Sequence, residues 1–202
     1  MRIGVFGGTF NPPHLGHLVW AQEAWLAVGL DRVLLIPTAQ PPHKAMPEDP
    51  GAEHRLALCR AAVAGDERLE VSALEVERGG VSYTVDTLEE LNSRAPDSEL
   101  FLILGADVAA GLPDWRDPER LLSLATPVLA GRSGTPAATV REALDRVPGG
   151  ERARFVQMPT VEISSTMIRE RVAAGRPIRY LVPEGVDRYI AEHRLYRGEA
   201  GP

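Results

Sequence analysis

Two histidines follow the first apolar segment of the chain at a spacing suited to binding phosphate. His14 and His17 lie three residues apart, shortly after Gly7 and Gly8. Glycines permit close approach of the backbone to an anion, and a helix beginning near Leu15 would direct its free N–H groups to the same place. Because residues three apart share one side of a helical turn, both imidazoles could donate to one phosphate chain. A simple Gly-Gly turn beside surface histidines explains the same residues equally well.

A run of hydroxyl side chains followed by an arginine forms the second candidate. Ser164, Ser165 and Thr166 precede Arg169 where a helix is expected to begin. Hydroxyls at such a position cap the free N–H groups of the helix, or join them in holding a phosphate. Arg169 lies within a turn of that end and can donate two hydrogen bonds to one phosphate. By itself, this segment is explained more simply as a capped helix with a surface arginine.

Several familiar site signatures are missing. Residues 4–8 do not fit the G-x-G-x-x-G pattern of a dinucleotide-binding turn, and no G-x-x-x-x-G-K-[ST] motif of a P-loop occurs. The single cysteine, Cys59, excludes an intrachain disulfide and a cysteine cluster for zinc. The histidine pair has no third zinc ligand at a suitable spacing. We therefore expect an anion site and no protein-bound metal.

The overall composition is that of an ordinary acidic globular protein. The chain has 202 residues, 44% hydrophobic and 25% charged, and a formal net charge of −6. This charge argues against nucleic acid as a partner, since phosphate backbones are bound by dense lysine and arginine. No apolar run approaches the length of a membrane helix, and the N-terminus lacks a signal-peptide core. We expect one cytoplasmic domain over residues 1–202 that contacts no membrane.

Short apolar runs alternate with helical patterns along the chain. The sequence predicts strands over residues 2–6, 33–36, 69–76, 100–104, 127–130 and 155–158. It predicts helices over residues 15–28, 53–64, 84–94, 118–124, 137–147, 165–174 and 183–193, with Thr84 as the N-cap of the third. This alternation implies an α/β fold, a doubly wound parallel sheet with helices on both faces. Residues from about 160 to 202 are expected to form a small helical C-terminal part.

One segment fits neither pattern. Residues 37–51 contain five prolines and are predicted to form a stiff functional loop, because structureless loops of this length are uncommon in compact domains. Lys44 lies within it, and we expect the loop to become ordered when substrate binds. Ligands of open α/β sheets lie beyond the carboxyl ends of the strands, which is also where the histidine pair is expected.

The two candidate segments together resemble the H-x-G-H nucleotidylyltransferases, and specifically the bacterial nicotinate-nucleotide adenylyltransferase family. Residues 7–17 read GGTFNPPHLGH and residues 163–169 read ISSTMIR. The resemblance extends over residues 1–197. Its other matches are PPHK at 41–44, SYTVDT at 82–87, GAD at 105–107, Leu112, Trp115, YLVP at 180–183, Tyr189, Ile190 and His193. Residues 116–118, RDP, depart from the bulkier residues usual in the family at that point.

The resemblance implies a Rossmann-like fold and an adenylyl transfer. Nicotinate mononucleotide and ATP would give nicotinate adenine dinucleotide and pyrophosphate, with Mg²⁺ carried on the triphosphate. Because the attacking phosphate oxygen is already anionic, the protein needs only to align two polyanions and neutralise the developing charge. The alternatives are adenylyl transfer to nicotinamide mononucleotide or to phosphopantetheine, whose family usually has a shorter chain and lacks the Asn-Pro-Pro string. A nucleotide sensor without turnover is a further alternative, which the intact histidines and arginine disfavour.

The resemblance also assigns residues to ATP. His17 would hold the α-phosphate, while His14 and Arg169 would hold the β- and γ-phosphates; these three are the expected catalytic residues. Asp107 would accept from ribose hydroxyls, and a helix N-cap is its alternative role. The other residues expected at the ATP are Gly8, Thr9, Phe10, Gly105, Ser165 and Thr166.

A separate set of residues is expected at the mononucleotide. Lys44 would reach its phosphate, and Trp115, with Tyr83 nearby, would stack on its pyridine ring; core packing is the alternative for Trp115. Backbone N–H groups near Thr84 would take the carboxylate. An unpaired acidic side chain in this pocket would instead favour the amide. The sequence leaves assembly into a homo-oligomer open.

Overall fold

The strands lie side by side in parallel in a computed structural model that describes residues 1–42, 48–131 and 136–197. Within those residues they form a six-stranded sheet of order β3-β2-β1-β4-β5-β6, in which every pairing is parallel. The strands are β1 (Arg2–Gly8), β2 (Arg32–Pro37), β3 (Leu69–Val71), β4 (Glu99–Gly105), β5 (Ala125–Gly131) and β6 (Arg154–Gln157). The order reverses between β1 and β4, so the loops after these two strands diverge and leave a crevice between them.

Helices cover both faces of the sheet. They are α1 (Leu15–Val28), α2 (Ala52–Val63), α3 (Leu74–Arg78), α4 (Thr84–Arg94), α5 (Ala106–Ala109), α6 (Pro118–Leu124), α7 (Ala137–Leu144), α8 (Ser165–Ala173) and α9 (Glu184–Glu192), with 3-10 turns at Leu112–Asp114 and Gly150–Arg152. None of the helices in the described ranges is long and apolar enough to cross a membrane.

Alternate residues of the strands pack into two separate hydrophobic cores, one on each face of the sheet. Val5 and Leu102 pack with residues of α3, α4, α6 and α7 on one face, whereas Phe6 and Ile103 pack with α1 on the other. Because both faces are covered, residues 100–104 of β4 are all buried, as their continuous apolar run predicts. The predicted Rossmann-like, doubly wound α/β fold is confirmed.

The C-terminal helices share a third cluster with α2. Ile168 of α8 and Ile190 of α9 pack with Leu58 of α2 and with Ile178 and Val182 between the two helices. α8 therefore reaches the rest of the fold through buried side chains, close to where β1 ends.

Two predictions of local structure are wrong. The strand predicted over residues 69–76 ends at Val71, and α3 begins at Leu74 after Ser72 Oγ accepts a hydrogen bond from the Leu74 N–H (3.3 Å). The apolar positions of residues 69–76 fit the period of a strand as well as that of a helix. Only the short pairing of β3 with β2 shows where the strand ends. Thr84 is the first residue of α4 and not its N-cap, because Tyr83 holds the extended cap conformation. Helix α5 and the turn at Leu112–Asp114 were not predicted, since each is too short to show a period.

The proline-rich loop is described only at its two ends. Gln40 forms a bridge with Val81, and Asp49 accepts a hydrogen bond from the Gly51 N–H (3.1 Å). Lys44 and its neighbours, residues 43–47, lie outside the described residues, so the predictions for Lys44 and for ordering of this loop stay predictions.

Candidate active site

The histidine segment turns sharply from β1 into α1. His14 is the N-cap of α1, is only 3% exposed, and its ring centroid lies 3.8 Å from that of His17. A Cβ on Gly16 would come within 3.0 Å of His14 Nδ1, which explains the glycine between the two histidines. The predicted placement of both rings on one side of the first turn is therefore observed.

A hydrogen bond fixes the orientation of the second imidazole. The His14 N–H donates to Nδ1 of His17 (3.2 Å), so Nδ1 carries no proton in this arrangement and Nε2 is the N–H donor. The ring also meets Phe10 edge-on, with 5.1 Å between centroids. His17 is thus held by contacts on two sides, which suits a donor that must be in place before the reaction.

The C-terminal motif docks directly on this turn. Ser165 Oγ donates to the Pro12 carbonyl (2.8 Å), and Arg169 Nη1 donates to the Asn11 carbonyl (2.9 Å). Two segments about 150 residues apart in sequence therefore meet at one place, as the motif pairing predicts.

The three hydroxyl side chains at the start of α8 have different roles. Ser164 is the N-cap, since its Oγ accepts from the Met167 N–H (3.1 Å). Ser165 holds the histidine turn, and Thr166 is exposed in the first helical turn. Arg169 Nε also forms an ion pair with Glu48 Oε2 (3.0 Å), so a carboxylate already occupies one edge of this guanidinium.

The end of β4 provides the other wall of the crevice. Gly105 is the N-cap of α5, and Asp107 follows in its first turn without capping it, so the N-cap alternative for Asp107 is wrong. A Cβ on Gly105 would lie 2.5 Å from Asp107 Oδ1, so the exposed carboxylate lies directly against this glycine. It is available to an incoming hydroxyl.

An apolar cavity of about 460 Å³ lies between β1, β4 and α4. Among the residues assigned from sequence, the lining includes Gly8, Thr9, Tyr83, Thr84 and Trp115. Phe10, His14, His17, Gly105, Asp107, Ser165, Thr166 and Arg169 are not part of this lining. The residues expected at the mononucleotide and those expected at ATP therefore separate into two neighbouring regions, joined at Gly8 and Thr9.

Trp115 belongs both to the cavity and to the core. Its side chain lines the cavity and is partly buried against the cluster that includes Leu112 and Leu121. Binding and packing are therefore not exclusive roles for this residue. α4 begins at Thr84 on the same lining, with no side-chain cap on its N–H groups.

Two charged residues of the cavity were missed by the sequence reasoning. Arg116 lies over the Tyr83 ring (4.6 Å to the centroid) and pairs with Asp86 (3.3 Å). Glu75, on the unpredicted α3, is buried and lines the cavity from below α4. For Arg116 the signal was its position after Trp115, whereas nothing in the sequence places Glu75 here.

Burial alters the acidity of Glu75. Desolvation raises the pKa of this carboxyl, although hydrogen bonds from the Thr87 and Ser82 hydroxyls and the charges of Arg78 and Arg55 act in the opposite direction. Its Oε1 accepts from Thr87 Oγ1 (2.7 Å), whereas Oε2 has no hydrogen-bond partner among the residues described. The cavity therefore contains a buried acidic side chain, the feature that the sequence analysis associates with the amide substrate.

Comparisons with known proteins show which family the chain is similar to. Residues 5–171 match the model of the cytidylyltransferase-like family. A probable nicotinate-nucleotide adenylyltransferase of Corynebacterium kroppenstedtii is 46% identical over 96% of this chain and 90% of its own. One from Bacillus pumilus is 40% identical over 96% of this chain and 98% of its own. The structure of the nicotinic acid mononucleotide adenylyltransferase of Plasmodium falciparum, complexed with NaAD, superimposes with a TM-score of 0.76 at 17% identity, covering 96% and 97% of the two chains.

Proposed function

The chain belongs to the nicotinate-nucleotide adenylyltransferases of the cytidylyltransferase-like family, and from that premise we propose that its crevice transfers the adenylyl group of ATP to nicotinate mononucleotide. One observation carries the proposal: a polar region built from His14, His17 and Arg169 adjoins an aromatic cavity at the point where the strand order reverses. These are the two surfaces that a triphosphate and a pyridine nucleotide require.

The reaction is a direct displacement at phosphorus. A phosphate oxygen of the mononucleotide attacks the α-phosphorus of ATP, the bond from that phosphorus to the bridging oxygen breaks, and pyrophosphate leaves with the electron pair. The nucleophile is already anionic, so the chain contributes alignment and charge stabilisation. Gly8 and Thr9, shared by both regions, are the proposed crossing point of the two substrates.

The polar region is proposed to hold the triphosphate. Nε2–H of His17 donates to the α-phosphate, while His14 and Arg169 hold the β- and γ-phosphates beside Thr166 at the start of α8. Asp107 accepts from the ribose. Mg²⁺, carried by the triphosphate, neutralises part of its charge; none of the described ranges contains a cluster of three metal-ligating side chains, so the phosphates themselves are its proposed main ligands.

The cavity is proposed to hold the pyridine nucleotide. Trp115 stacks on the ring, and the free N–H groups at the start of α4 receive the carboxylate. Arg116 adds a positive charge at the same lining, which favours the acid over the amide. Lys44 is still the proposed partner of the mononucleotide phosphate.

Glu75 favours a second candidate function, adenylyl transfer to nicotinamide mononucleotide. An ionised carboxylate in the cavity would repel nicotinate and accept a hydrogen bond from the amide. Burial raises the pKa of Glu75 and so reduces the repulsion of nicotinate. The positive charge of Arg116 at the same lining also favours nicotinate. We therefore rank the acid first.

Pyrophosphate release measured with three acceptors in parallel tests the proposal. ATP-Mg²⁺ is supplied with nicotinate mononucleotide, nicotinamide mononucleotide or phosphopantetheine, and kcat/KM is compared. We expect the largest value with the nicotinate compound. A larger value with either of the others would replace the proposed acceptor. If the chain binds ATP but releases pyrophosphate with none of the three acceptors, the result would favour a nucleotide sensor.

A further inference from the structure

Arg55, a fully buried arginine on α2, donates hydrogen bonds to three different segments around the crevice. Its Nη1 donates to the carbonyls of Thr9 (3.1 Å) and Thr38 (2.5 Å), and its Nη2 to that of Ala39 (2.9 Å). Its Nε donates to Asp49 Oδ1 (2.9 Å). One side chain therefore joins the turn after β1 to both ends of the proline-rich loop.

Burying the guanidinium of Arg55 costs free energy, and packing alone does not explain why it is buried. Removing a guanidinium from water carries a desolvation penalty of several kcal/mol, and an apolar side chain of similar volume is often as stable in its place. Asp49 is the carboxylate paired with it, and the other acceptors are neutral carbonyls. A rigid planar fork can hold several carbonyls at fixed angles, which a lysine cannot do.

The bond to Thr9 fixes the direction of the next N–H group. In a planar trans peptide the carbonyl and the N–H point in opposite directions, so the Phe10 N–H points away from Arg55. Phe10 also has a φ of 47°, a left-handed conformation that is strained for a non-glycine residue. This strained turn needs support from its surroundings, and Arg55 supplies a hydrogen bond to it.

The N–H groups of Thr9 and Phe10 are the candidate donors of this turn. Within residues 1–42, 48–131 and 136–197, neither the Thr9 N–H nor the Phe10 N–H donates to another group, although Phe10 is only 1% exposed. Backbone N–H groups in such surroundings are rarely without a partner. The turn adjoins both the cavity, through Gly8 and Thr9, and the ring of His17.

We propose that Arg55 is a positioning residue, which holds the Thr9–Phe10 peptide so that its N–H donates to the phosphates at the junction of the two substrates. It does not contact substrate itself. Through Thr38, Ala39 and Asp49 it also sets where the neighbouring loop begins and ends relative to that peptide. The inference rests on the proposed function for the identity of the phosphates, but the geometry of the peptide is independent of it.

Substitution Arg55→Lys tests the proposal, because lysine keeps the charge and loses the fork. We expect kcat to fall about 10- to 100-fold while both KM values stay within about threefold, since a misplaced donor weakens the transition state more than substrate binding. Arg60→Lys, at an exposed position on the same helix, is the matched control and should leave both parameters unchanged. Thermal melts establish that each variant is folded at the assay temperature.

A second readout does not depend on turnover. The ¹⁵N–¹H resonance of Phe10 is followed while ATP-Mg²⁺ is added; it should shift in the wild type and in Arg60→Lys and shift much less in Arg55→Lys. A folded Arg55→Lys variant with wild-type kcat, with raised KM values alone, or with the wild-type shift of Phe10 would overturn the proposal. Should the wild type release no pyrophosphate with any acceptor, the proposed function fails, and the resonance still decides the role of Arg55.

Discussion

The polar region around the histidines and the aromatic cavity beside it are built in different ways. In the polar region, side chains of α8 donate to backbone carbonyls of the turn after β1, as Ser165 does to Pro12 and Arg169 to Asn11. In the cavity, the walls are strand residues and the aromatic rings of Tyr83 and Trp115, with α4 at one end. The first region fixes donors at set positions, whereas the second provides shape. A triphosphate and a pyridine ring make these two different demands.

The largest effect is expected in the polar region. His17→Ala should lower kcat by about 10²- to 10³-fold, the usual loss when one preorganised donor to the transition state is removed. Steady-state pyrophosphate release measures it, and His193→Ala, at the exposed end of α9, is the control. A folded His17→Ala enzyme with near wild-type kcat would contradict the role given to this region.

The cavity should respond through substrate binding instead. Trp115→Ala removes a stacking surface worth about 1–3 kcal/mol, so KM for nicotinate mononucleotide should rise about 5- to 100-fold with little change for ATP. Trp115→Phe keeps an aromatic face and should restore most of the affinity. Equal rises in both KM values would show that Trp115 acts through the fold and not through the ring.

The sequence could predict the polar region better than the cavity, for a physical reason. The motifs that contain His14, His17 and Arg169 match a known family, so the sequence predicted that these residues meet, and the contacts of Arg169 and Ser165 with the histidine turn show that they do. Glu75 lies on a helix whose apolar spacing also fits a strand, and only the packing of α3 beneath α4 brings it to the cavity.

The same reason applies to the fold. The short apolar runs and the periodic helical segments predicted the doubly wound sheet, because each element is stabilised by a face that its own sequence displays. Arg55 is different, since its four hydrogen bonds join segments whose proximity is created only by the tertiary structure. No local pattern could have indicated that role.

The charge of the cavity can be examined through stability. The pKa of Glu75 is raised by burial above its ordinary value of 4.5. The folded state then binds its proton more tightly than the unfolded state, so the stability this group contributes is present below pH 4.5 and is lost as the pH rises through the raised pKa.

Glu75→Gln should therefore flatten the decline in Tm as the pH rises above 4.5, and about 1 kcal/mol moves Tm by about 2–4 °C in a chain of this size. Glu77→Gln, at an exposed position on the same helix, should follow the wild type. If the Tm of Glu75→Gln and the Tm of the wild type change with pH in the same way, ionisation of Glu75 does not affect stability and this prediction is contradicted.

The smallest effect is expected from the ion pair that occupies Arg169. Glu48 is mostly exposed, and such pairs contribute about 0.2–1 kcal/mol. Glu48→Gln should accordingly lower KM for ATP by less than about fivefold and leave KM for the mononucleotide unchanged. Glu53→Gln on α2 controls for the loss of one surface charge. An unchanged or raised KM for ATP would mean that Glu48 does not compete with the triphosphate.

The division of the crevice into two regions is tested most directly by binding each substrate alone to two variants. Calorimetric titrations with ATP-Mg²⁺ and with nicotinate mononucleotide are compared for Arg169→Met and Trp115→Ala. Arg169→Met should weaken ATP about 10- to 100-fold and leave the mononucleotide unchanged, because a charge-assisted hydrogen bond is worth about 1.5–3 kcal/mol. Trp115→Ala should do the reverse. If each variant weakens both substrates alike, the two regions do not serve separate substrates and the account is contradicted.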